Sequence, residues 1–226
     1  MPETGARYVP ALRFRTLTRL YDPVVAATTR EREFKGRLLR QAGLTPGQRL
    51  LDLGCGTGTL AIEAKLAEPA AEVVGLDGDP QVLERARAKA DAGGAEVEFD
   101  EGFSSELPYA DGSFDAVLAT LFFHHLTRAD KIATAREIAR VLRPDGALHV
   151  ADWGRPADPL MAVLFWQIRL LDGLEQTRDN GAGELPAIFE LGGLEEAAET
   201  DRMRTVFGSL SLYRARKPRS PGSYTA

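Results

Sequence analysis

The stretch Leu50-Leu51-Asp52-Leu53-Gly54-Cys55-Gly56-Thr57-Gly58-Thr59-Leu60 decides the fold: an apolar run carries an acid and leads into a glycine-rich loop. The segment Arg49–Leu53 is short and apolar, which predicts a strand buried on both faces. From Gly58 the apolar residues recur with a helical period, and this predicts a helix that ends before Pro69. The sequence therefore predicts a strand, a tight turn and a helix in succession.

The glycine loop predicts a cradle for a ligand. Gly54, Gly56 and Gly58 alternate with small residues, so the backbone can turn sharply and bring its N–H groups against a ligand. The N-terminus of the following helix adds unpaired donors and a partial positive charge for an anionic group. Asp52 lies where a positively charged part of the same ligand can be balanced. The alternative is a loop that only turns the chain.

The spacing of the glycines separates two cofactor classes. A dinucleotide fingerprint has the pattern G-x-G-x-x-G, and the position of its third glycine is occupied here by Thr59, which disfavours a nucleotide-dependent oxidoreductase. The pattern D-x-G-x-G-x-G from Asp52 to Gly58 instead resembles the first motif of class I S-adenosylmethionine-dependent methyltransferases. The resemblance implies that the loop wraps the methionine end of S-adenosylmethionine, and that S-adenosylhomocysteine is the product.

Length, composition and charge predict a single α/β domain that acts on a small molecule. The chain has 226 residues, 44% hydrophobic and 27% charged, which is enough for one well-filled core and short for two. The formal net charge of −5 argues against nucleic acid as the main partner. We therefore expect one domain over 1–226 and a small-molecule methyl acceptor.

Three features predict a cytoplasmic protein. The single cysteine excludes an intramolecular disulfide, and nothing indicates an oxidising compartment. Residues 1–10 lack the apolar core of a signal peptide. The most apolar segment, Leu160–Leu171, is interrupted by Gln167 and Arg169 and is shorter than the roughly 18 residues of a membrane span. No membrane span is expected.

The order of the segments predicts a Rossmann-like, doubly wound sheet. Strands and helices alternate after the glycine loop, which is typical of a parallel sheet with helices on both faces. Further strands are predicted at Glu72–Asp77, Ala95–Asp100, Phe114–Leu121 and Ala147–Asp152. The predicted parts of the domain are an N-terminal helical cover (1–45), a cofactor-binding core (46–153), a substrate-side insertion (158–194) and a flexible tail (217–226).

Later motifs strengthen the resemblance, which covers about 21–152 and extends more weakly to 218. In chain order they are Asp77, Glu106-Leu107-Pro108, Phe114-Asp115, His124-His125 and Leu142-Arg143-Pro144-Asp145-Gly146. Together they look like the small-molecule branch of the family, which contains ubiquinone-type and related methyltransferases. That branch implies seven strands, mostly parallel with an antiparallel last strand. Leu194–Arg204 and Phe207–Arg216 would complete the sheet.

Asp77 is the best-supported cofactor residue. It ends the second strand about 20 residues after the loop, where doubly wound folds hold a ribose through a carboxylate. In related sequences a Gly-Asp pair follows the third strand and its acid contacts adenine, whereas here the pair is Gly102-Phe103; Phe103 either stacks on the purine or packs beneath the loop. The predicted cofactor-binding residues are Asp52, Gly54, Cys55, Gly56, Gly58, Asp77, Gly78, Gly102, Phe103 and Thr120.

His124 and His125 are the candidate catalytic residues. They follow a central strand at its carboxyl end, beside the expected position of the methyl group. Methyl transfer requires in-line placement with optional proton removal, so a histidine would serve as general base or hydrogen-bond donor. The alternative is that both only shape the loop. Because adjacent side chains in an extended segment point to opposite sides, no shared metal ion is predicted.

Two classes of DNA methyltransferase do not match the sequence. The family resemblance implies that amino-methylating DNA enzymes carry an Asn/Asp-Pro-Pro-aromatic motif after the fourth strand, but 120–125 contains no proline. Cytosine C5 enzymes need a nucleophilic thiolate in a separate loop. The only thiol here is Cys55 within the cradle, where it is better interpreted as a small spacer.

The acceptor is predicted to be small and apolar or aromatic. The insertion is rich in large apolar residues around most of a helix, so it would pack on two sides and enclose a pocket together with the N-terminal cover. The predicted pocket residues are Tyr21, Trp153, Phe165 and Trp166. Each of them could instead be an ordinary packing residue. Phe165 and Trp166 could also form a contact between the subunits of a homodimer. A non-catalytic cofactor-binding or scaffolding protein is the alternative function.

Overall fold

The computed structural model describes residues 30–219, which form a seven-stranded sheet flanked by helices. The strands are β1 (Arg49–Leu53), β2 (Glu72–Asp77), β3 (Glu98–Glu101), β4 (Phe114–Thr120), β5 (Leu142–Trp153), β6 (Glu195–Thr205) and β7 (Gly208–Arg216). The helices are α1 (Glu31–Ala42), α2 (Thr59–Ala67), α3 (Pro80–Gly93), α4 (Arg128–Val141), α5 (Pro159–Asp172), α6 (Arg178–Ala182) and α7 (Leu185–Leu191). Within 30–219 every helix is too short or too polar to cross a membrane.

The sheet order is β3-β2-β1-β4-β5-β7-β6. Strands β1 to β5 pair in parallel, whereas β7 runs antiparallel to both of its neighbours. This confirms the predicted mostly parallel sheet with an antiparallel last strand. Because the parallel strands share one direction, the loops that follow β1, β2, β4 and β5 meet at a single edge of the sheet. The candidate site residues of the core lie at or shortly after the carboxyl ends of β1 to β5.

The hydrophobic core lies on both faces of the sheet. Leu50 belongs to the cluster that packs against α2 and α3, whereas Leu51 belongs to the cluster that packs against α4 and α7. Successive side chains of a strand point to opposite faces, so one short apolar run fills both clusters. This confirms that β1 is buried on both sides.

Several predicted boundaries are confirmed or differ by one residue, as in β4, β6 and β7, and those of β3 and β5 differ by more. β1 and β2 have the predicted bounds, and Asp79 caps α3 by accepting a hydrogen bond from the Gln81 N–H at 2.9 Å. β3 begins at Glu98 because the Ala95 N–H is used by the end of α3, where it donates to the Ala90 carbonyl at 3.0 Å. β5 begins at Leu142 because that residue pairs with Phe114 ahead of a register shift.

The predicted N-terminal cover and tail are only partly described. Of the cover, α1 packs on the sheet through Gln41, whose amide contacts His149 Nδ1 and the Tyr213 carbonyl, each at 3.0 Å. Lys217 begins the predicted tail, but it is hydrogen-bonded to the sheet: its ammonium group donates to the Leu142 carbonyl of β5 at 2.7 Å. Residues 1–29, including Tyr21, and residues 220–226 lie outside the described residues.

Candidate active site

The glycine loop has the geometry of a ligand cradle. Gly54, Gly56 and Gly58 have φ of 68°, 54° and 72°, a backbone conformation that favours glycine. A Cβ on Gly54 would lie 2.3 Å from the Phe122 ring, and one on Gly58 would lie 2.7 Å from the Phe99 ring. A Cβ on Gly56 would meet nothing within 4 Å. The outer glycines therefore permit packing, while Gly56 borders open space.

Asp77 fastens this loop to the end of β2. One carboxylate oxygen accepts the Gly56 N–H at 2.9 Å and the other accepts the Asp79 N–H at 3.0 Å. The carboxyl group is largely buried, and this burial raises its pKa despite the backbone donors. Asp77 thus shapes the cradle as well as lying beside it. Its contact with a ribose stays a prediction.

Asp52 offers a buried, incompletely bonded carboxylate. It is 1% exposed, and its Oδ2 accepts the Ala61 N–H of α2 at 3.1 Å. Oδ1 is buried and, within residues 30–219, forms no hydrogen bond. Burial raises the pKa of Asp52 to about 7. A buried oxygen without a donor, next to the cradle, fits the ammonium end of an amino-acid-like ligand.

Phe103 lies beside Gly78, directly after the end of β2. Its side chain is 46% exposed, and its ring lies 3.3 Å from the position of a Cβ on Gly78. The preceding residue, Gly102, also has little space for a side chain, because a Cβ there would lie 3.0 Å from the Leu76 side chain. An exposed aromatic ring near Asp77 has a free face for a purine.

Cys55 and Thr120 are the remaining cofactor candidates. Cys55 is buried, and its Sγ lies 3.0 Å from the position of a Cβ on Gly75 in β2. Burial raises the pKa of this thiol, so it is no nucleophile. Thr120 is half-buried at the end of β4, in register with Ala151 of β5.

His124 is fixed by a buried carboxylate. It lies in a 3₁₀ turn, Phe123–His125, directly after β4, and its side chain is 4% exposed. Its Nδ1 lies 2.7 Å from Oδ1 of Asp152, the penultimate residue of β5. The Asp152 carboxylate also accepts three backbone N–H groups, those of Phe122, His124 and Trp153, at 3.1, 3.3 and 2.7 Å.

The surroundings of the buried Asp152 carboxylate favour its ionised form. Burial would raise its pKa, but the adjacent His124 and the backbone donors outweigh that effect and lower the pKa. An ionised carboxylate only accepts hydrogen bonds, so His124 donates from Nδ1 and keeps an unprotonated Nε2 in its neutral form. This Nε2 is the atom of the pair that is available for chemistry.

His125 and Asp172 complete a cluster with His124. The two imidazole rings lie 3.9 Å apart between centroids, and Asp172, the last residue of α5, lies beside both. The prediction that adjacent histidines point to opposite sides is wrong, because the segment is a 3₁₀ turn and not extended. Desolvation and the neighbouring His124 lower the pKa of His125 to about 3, and burial raises that of Asp172.

The substrate candidates occupy two different environments. Trp153 and Phe165 are each 3% exposed, with ring centroids 6.4 Å apart, and the Trp153 ring lies 6.3 Å from that of His124. Trp166 is 49% exposed, with the Arg169 guanidinium 4.8 Å from its ring centroid. Its ring borders a depression of about 300 Å³. His149 is buried in β5.

Sequence reasoning missed Asp152 and Asp172. Asp152 could have been found, because it ends the strand next to β4 and so must lie beside the loop that carries His124. Asp172 gave no such signal: it ends a helix whose position over the sheet depends on tertiary packing. Its one anomaly in the sequence is an acid at a helix C-terminus, where the helix dipole disfavours negative charge.

Comparisons with known proteins agree with this geometry. A family model described as "Methyltransferase domain" matches residues 50–146. A demethylmenaquinone methyltransferase of Deinococcus radiodurans is 42% identical over 118 residues, which are 52% of this chain and 48% of that protein. The chain thus spans about half the length of that relative. A protein of Synechocystis named as an uncharacterized methyltransferase is 32% identical over 173 residues, covering 73% of this chain and 77% of that protein.

Solved structures show the same fold. The [4+2]-cyclase SpnF superposes with a TM-score of 0.66 at 21% identity, covering 83% of this chain and 82% of that one. Identity at this level shows the fold alone. The match to the Synechocystis protein extends over most of both chains. The chain therefore belongs to the class I S-adenosylmethionine-dependent methyltransferases, on the small-molecule branch that its motifs predict.

Proposed function

We propose that this protein transfers the methyl group of S-adenosylmethionine to a small apolar or aromatic molecule. The observation that carries the proposal is the open cradle at Gly56, bordered by two buried carboxylates, Asp52 and Asp77. S-adenosylmethionine combines an amino acid, whose ammonium group would meet Asp52, with a nucleoside, whose ribose would meet Asp77. The name of the Deinococcus relative, a demethylmenaquinone methyltransferase, supports an aromatic acceptor.

Residues of the chain hold the cofactor from both ends. Asp52 Oδ1 would bind the ammonium group, and the N–H groups around Gly56 would bind the carboxylate. Asp77 would hold the ribose hydroxyls while keeping the loop in place, and Phe103 would cover the purine. Bound S-adenosylmethionine supplies an electrophilic methyl group on a sulfonium that is already a good leaving group.

The acceptor would lie beside His124 and His125. Phe122 touches the glycine loop at Gly54, so the two histidines that follow lie close to the cradle. Such placement favours in-line approach of an acceptor atom to the methyl group, the main requirement of the reaction. Trp153, next to His124, would form an apolar wall of the site.

A non-catalytic role is the alternative function. SpnF, which shares the fold, is named as a cyclase, so the fold does not determine the reaction. Incubation with S-adenosylmethionine labelled in its methyl group and a metabolite extract distinguishes the two. Label in an extract component supports methyl transfer, whereas cofactor binding without any transfer to extracts of several sources supports a scaffold.

Replacing Asp77 by Ala tests the cofactor site. We expect the variant to bind S-adenosylhomocysteine about 10- to 100-fold more weakly, because it loses hydrogen bonds to the ribose and releases the loop at Gly56, worth roughly 1–3 kcal/mol. Calorimetry measures the affinity. The matched control is Glu101→Ala, an exposed acid in register with Asp77 on the neighbouring strand, which should bind normally. Unchanged affinity in Asp77→Ala would contradict the assignment.

Replacing Trp166 by Ala tests the acceptor pocket. Its half-exposed ring borders the depression between α5 and α6, so we expect a higher KM for the acceptor and unchanged affinity for S-adenosylhomocysteine. The control is Leu170→Ala, an apolar residue of the same helix that is 75% exposed. Equal KM values in the two variants would move the pocket elsewhere, and loss of folding would identify Trp166 as a packing residue.

A further inference from the structure

The atoms of His124, His125 and Asp172 are arranged like the ligands of one ion. His124 Nε2 lies 3.6 Å from one carboxylate oxygen of Asp172, and His125 Nδ1 lies 3.7 Å from the other. Both separations are longer than a hydrogen bond. Two ligands of a tetrahedral ion with bonds of about 2.0–2.2 Å lie roughly 3.3–3.6 Å apart. One ligand atom from each of the three residues lies within 4.8 Å of the others, so small rotations would close the set.

Asp152 supplies the support that a histidine ligand requires. A metal-bound histidine commonly donates its second ring N–H to a carboxylate, which fixes the tautomer and strengthens the ligand. The buried Asp152 stands in that position, 2.7 Å from His124 Nδ1. His124 Nε2 then carries the lone pair on the side that faces Asp172.

A negative charge on Asp172 is energetically unfavourable unless a cation lies beside it. Asp172 ends α5, where the helix dipole repels negative charge, and its side chain is only 14% exposed. Across residues 30–219, no lysine or arginine forms an ion pair with Asp172, and its ion-pair partners are His124 and His125. A divalent ion between the three side chains would balance this charge.

We infer that His124, His125 and Asp172 form a binding site for a divalent first-row transition metal ion such as Zn²⁺. Two imidazoles and a carboxylate suit such ions, and three protein ligands leave coordination positions for an exogenous oxygen or nitrogen donor. His125, with its side chain 32% exposed, gives the site access to solvent. If the proposed function holds, an oxygen or nitrogen atom of the acceptor is the donor that the ion would take.

Metal titration of the untagged, full-length protein tests the site without any assay of activity. We expect Co²⁺ to bind one equivalent with a visible d–d absorption band, Zn²⁺ to displace it, and azide to shift the band by entering an open position. Removing a ligand should weaken Co²⁺ binding by more than about 100-fold in His125→Gln and Asp172→Asn, since even supporting residues account for about 10- to 100-fold. Asp152→Asn, which changes a supporting residue, should weaken Co²⁺ binding by about 10- to 100-fold.

Two controls separate metal binding from folding and from the proposed function. His149→Gln removes the histidine in β5 that lies outside the cluster and should bind Co²⁺ normally. Affinity for S-adenosylhomocysteine should persist in His125→Gln and Asp172→Asn, showing an intact fold. Co²⁺ binding that survives both substitutions, or that disappears in His149→Gln, would overturn the metal site. Absence of methyl transfer alongside normal Co²⁺ binding would instead overturn the proposed function alone.

Discussion

The two halves of the sheet edge are built in different ways. After β1 and β2 the site consists of backbone: three left-handed glycines and the N–H groups that Asp77 holds in place. After β4 and β5 it consists of side chains from three separate elements, with Asp152 and Asp172 on either side of His124. The first half follows from local conformation. The second requires tertiary packing to bring its members together.

This difference teaches which parts of the site tolerate change. A cradle made of backbone is damaged by a residue that alters φ or adds volume, or by loss of the Asp77 carboxylate that holds the loop. A cluster of buried ionisable groups can be damaged by replacing a single oxygen atom, because an unpaired charge or donor then remains in the interior. The first two predictions below test this contrast.

The largest effect on stability is expected from a comparison of Asp152 and Asp172, the two acids beside His124. Asp152→Asn should lower the free energy of unfolding by about 3–5 kcal/mol, because an amide cannot accept from His124 and three backbone N–H groups at once. Asp172→Asn should leave stability unchanged or raise it in metal-free protein, because it removes a charge from a helix C-terminus. Urea unfolding measures both. Similar losses would remove the distinction between the two acids.

A smaller effect is expected in the glycine loop. Gly54→Ala should cost about 2–4 kcal/mol of unfolding free energy, because the new methyl group meets the Phe122 ring in addition to the strained φ. Gly56→Ala has free space and should cost about 1–2 kcal/mol from the backbone alone. Yet Gly56→Ala should weaken cofactor binding, since its methyl group occupies the cradle. Thermal unfolding and calorimetry with S-adenosylhomocysteine would measure the two quantities, and equal stability losses would contradict the geometry.

The smallest effect concerns pH. Because burial raises the pKa of Asp52 to about 7, an ammonium group that binds there favours the ionised carboxylate and releases part of a proton below that pH. Affinity for S-adenosylhomocysteine should therefore rise several-fold from pH 5 to pH 7, a range in which the α-amino group of the ligand stays charged. Asp52→Asn should bind more weakly, with a flat profile over this range. A parallel rise in the variant would assign the titration to another group.

In the absence of ligand, the contribution of Asp52 to the free energy of unfolding should fall as the pH rises, whereas the affinity for S-adenosylhomocysteine should increase. A carboxyl group whose folded pKa is raised contributes stability that is present below its unfolded pKa, about 3.9, and lost as the pH rises through about 7. Asp52→Asn should thus become more stable relative to the wild type between those values. Comparing the difference between the two proteins removes the contributions of the histidines.

The parts of the molecule that sequence predicts best are those fixed by local rules. Arg49–Leu53 and the glycine loop follow from hydrophobic pattern and φ, and the structure has them at the predicted positions. The pairing of His124 with His125 was mispredicted because a 3₁₀ turn and an extended loop share the same short sequence signal. Asp172 could not be predicted, since only the docking of α5 on the sheet brings it to the histidines.

Cys55, the only thiol of the chain, is buried in the cradle, and that burial raises its pKa. It should therefore resist alkylating reagents in the folded protein, so the natural sequence already serves as a background for site-specific labelling. A cysteine introduced at Leu171, which is 74% exposed near the end of α5, would be the one reactive thiol. A fluorophore attached there would report on movements of the helix that carries Asp172 without further engineering of the chain.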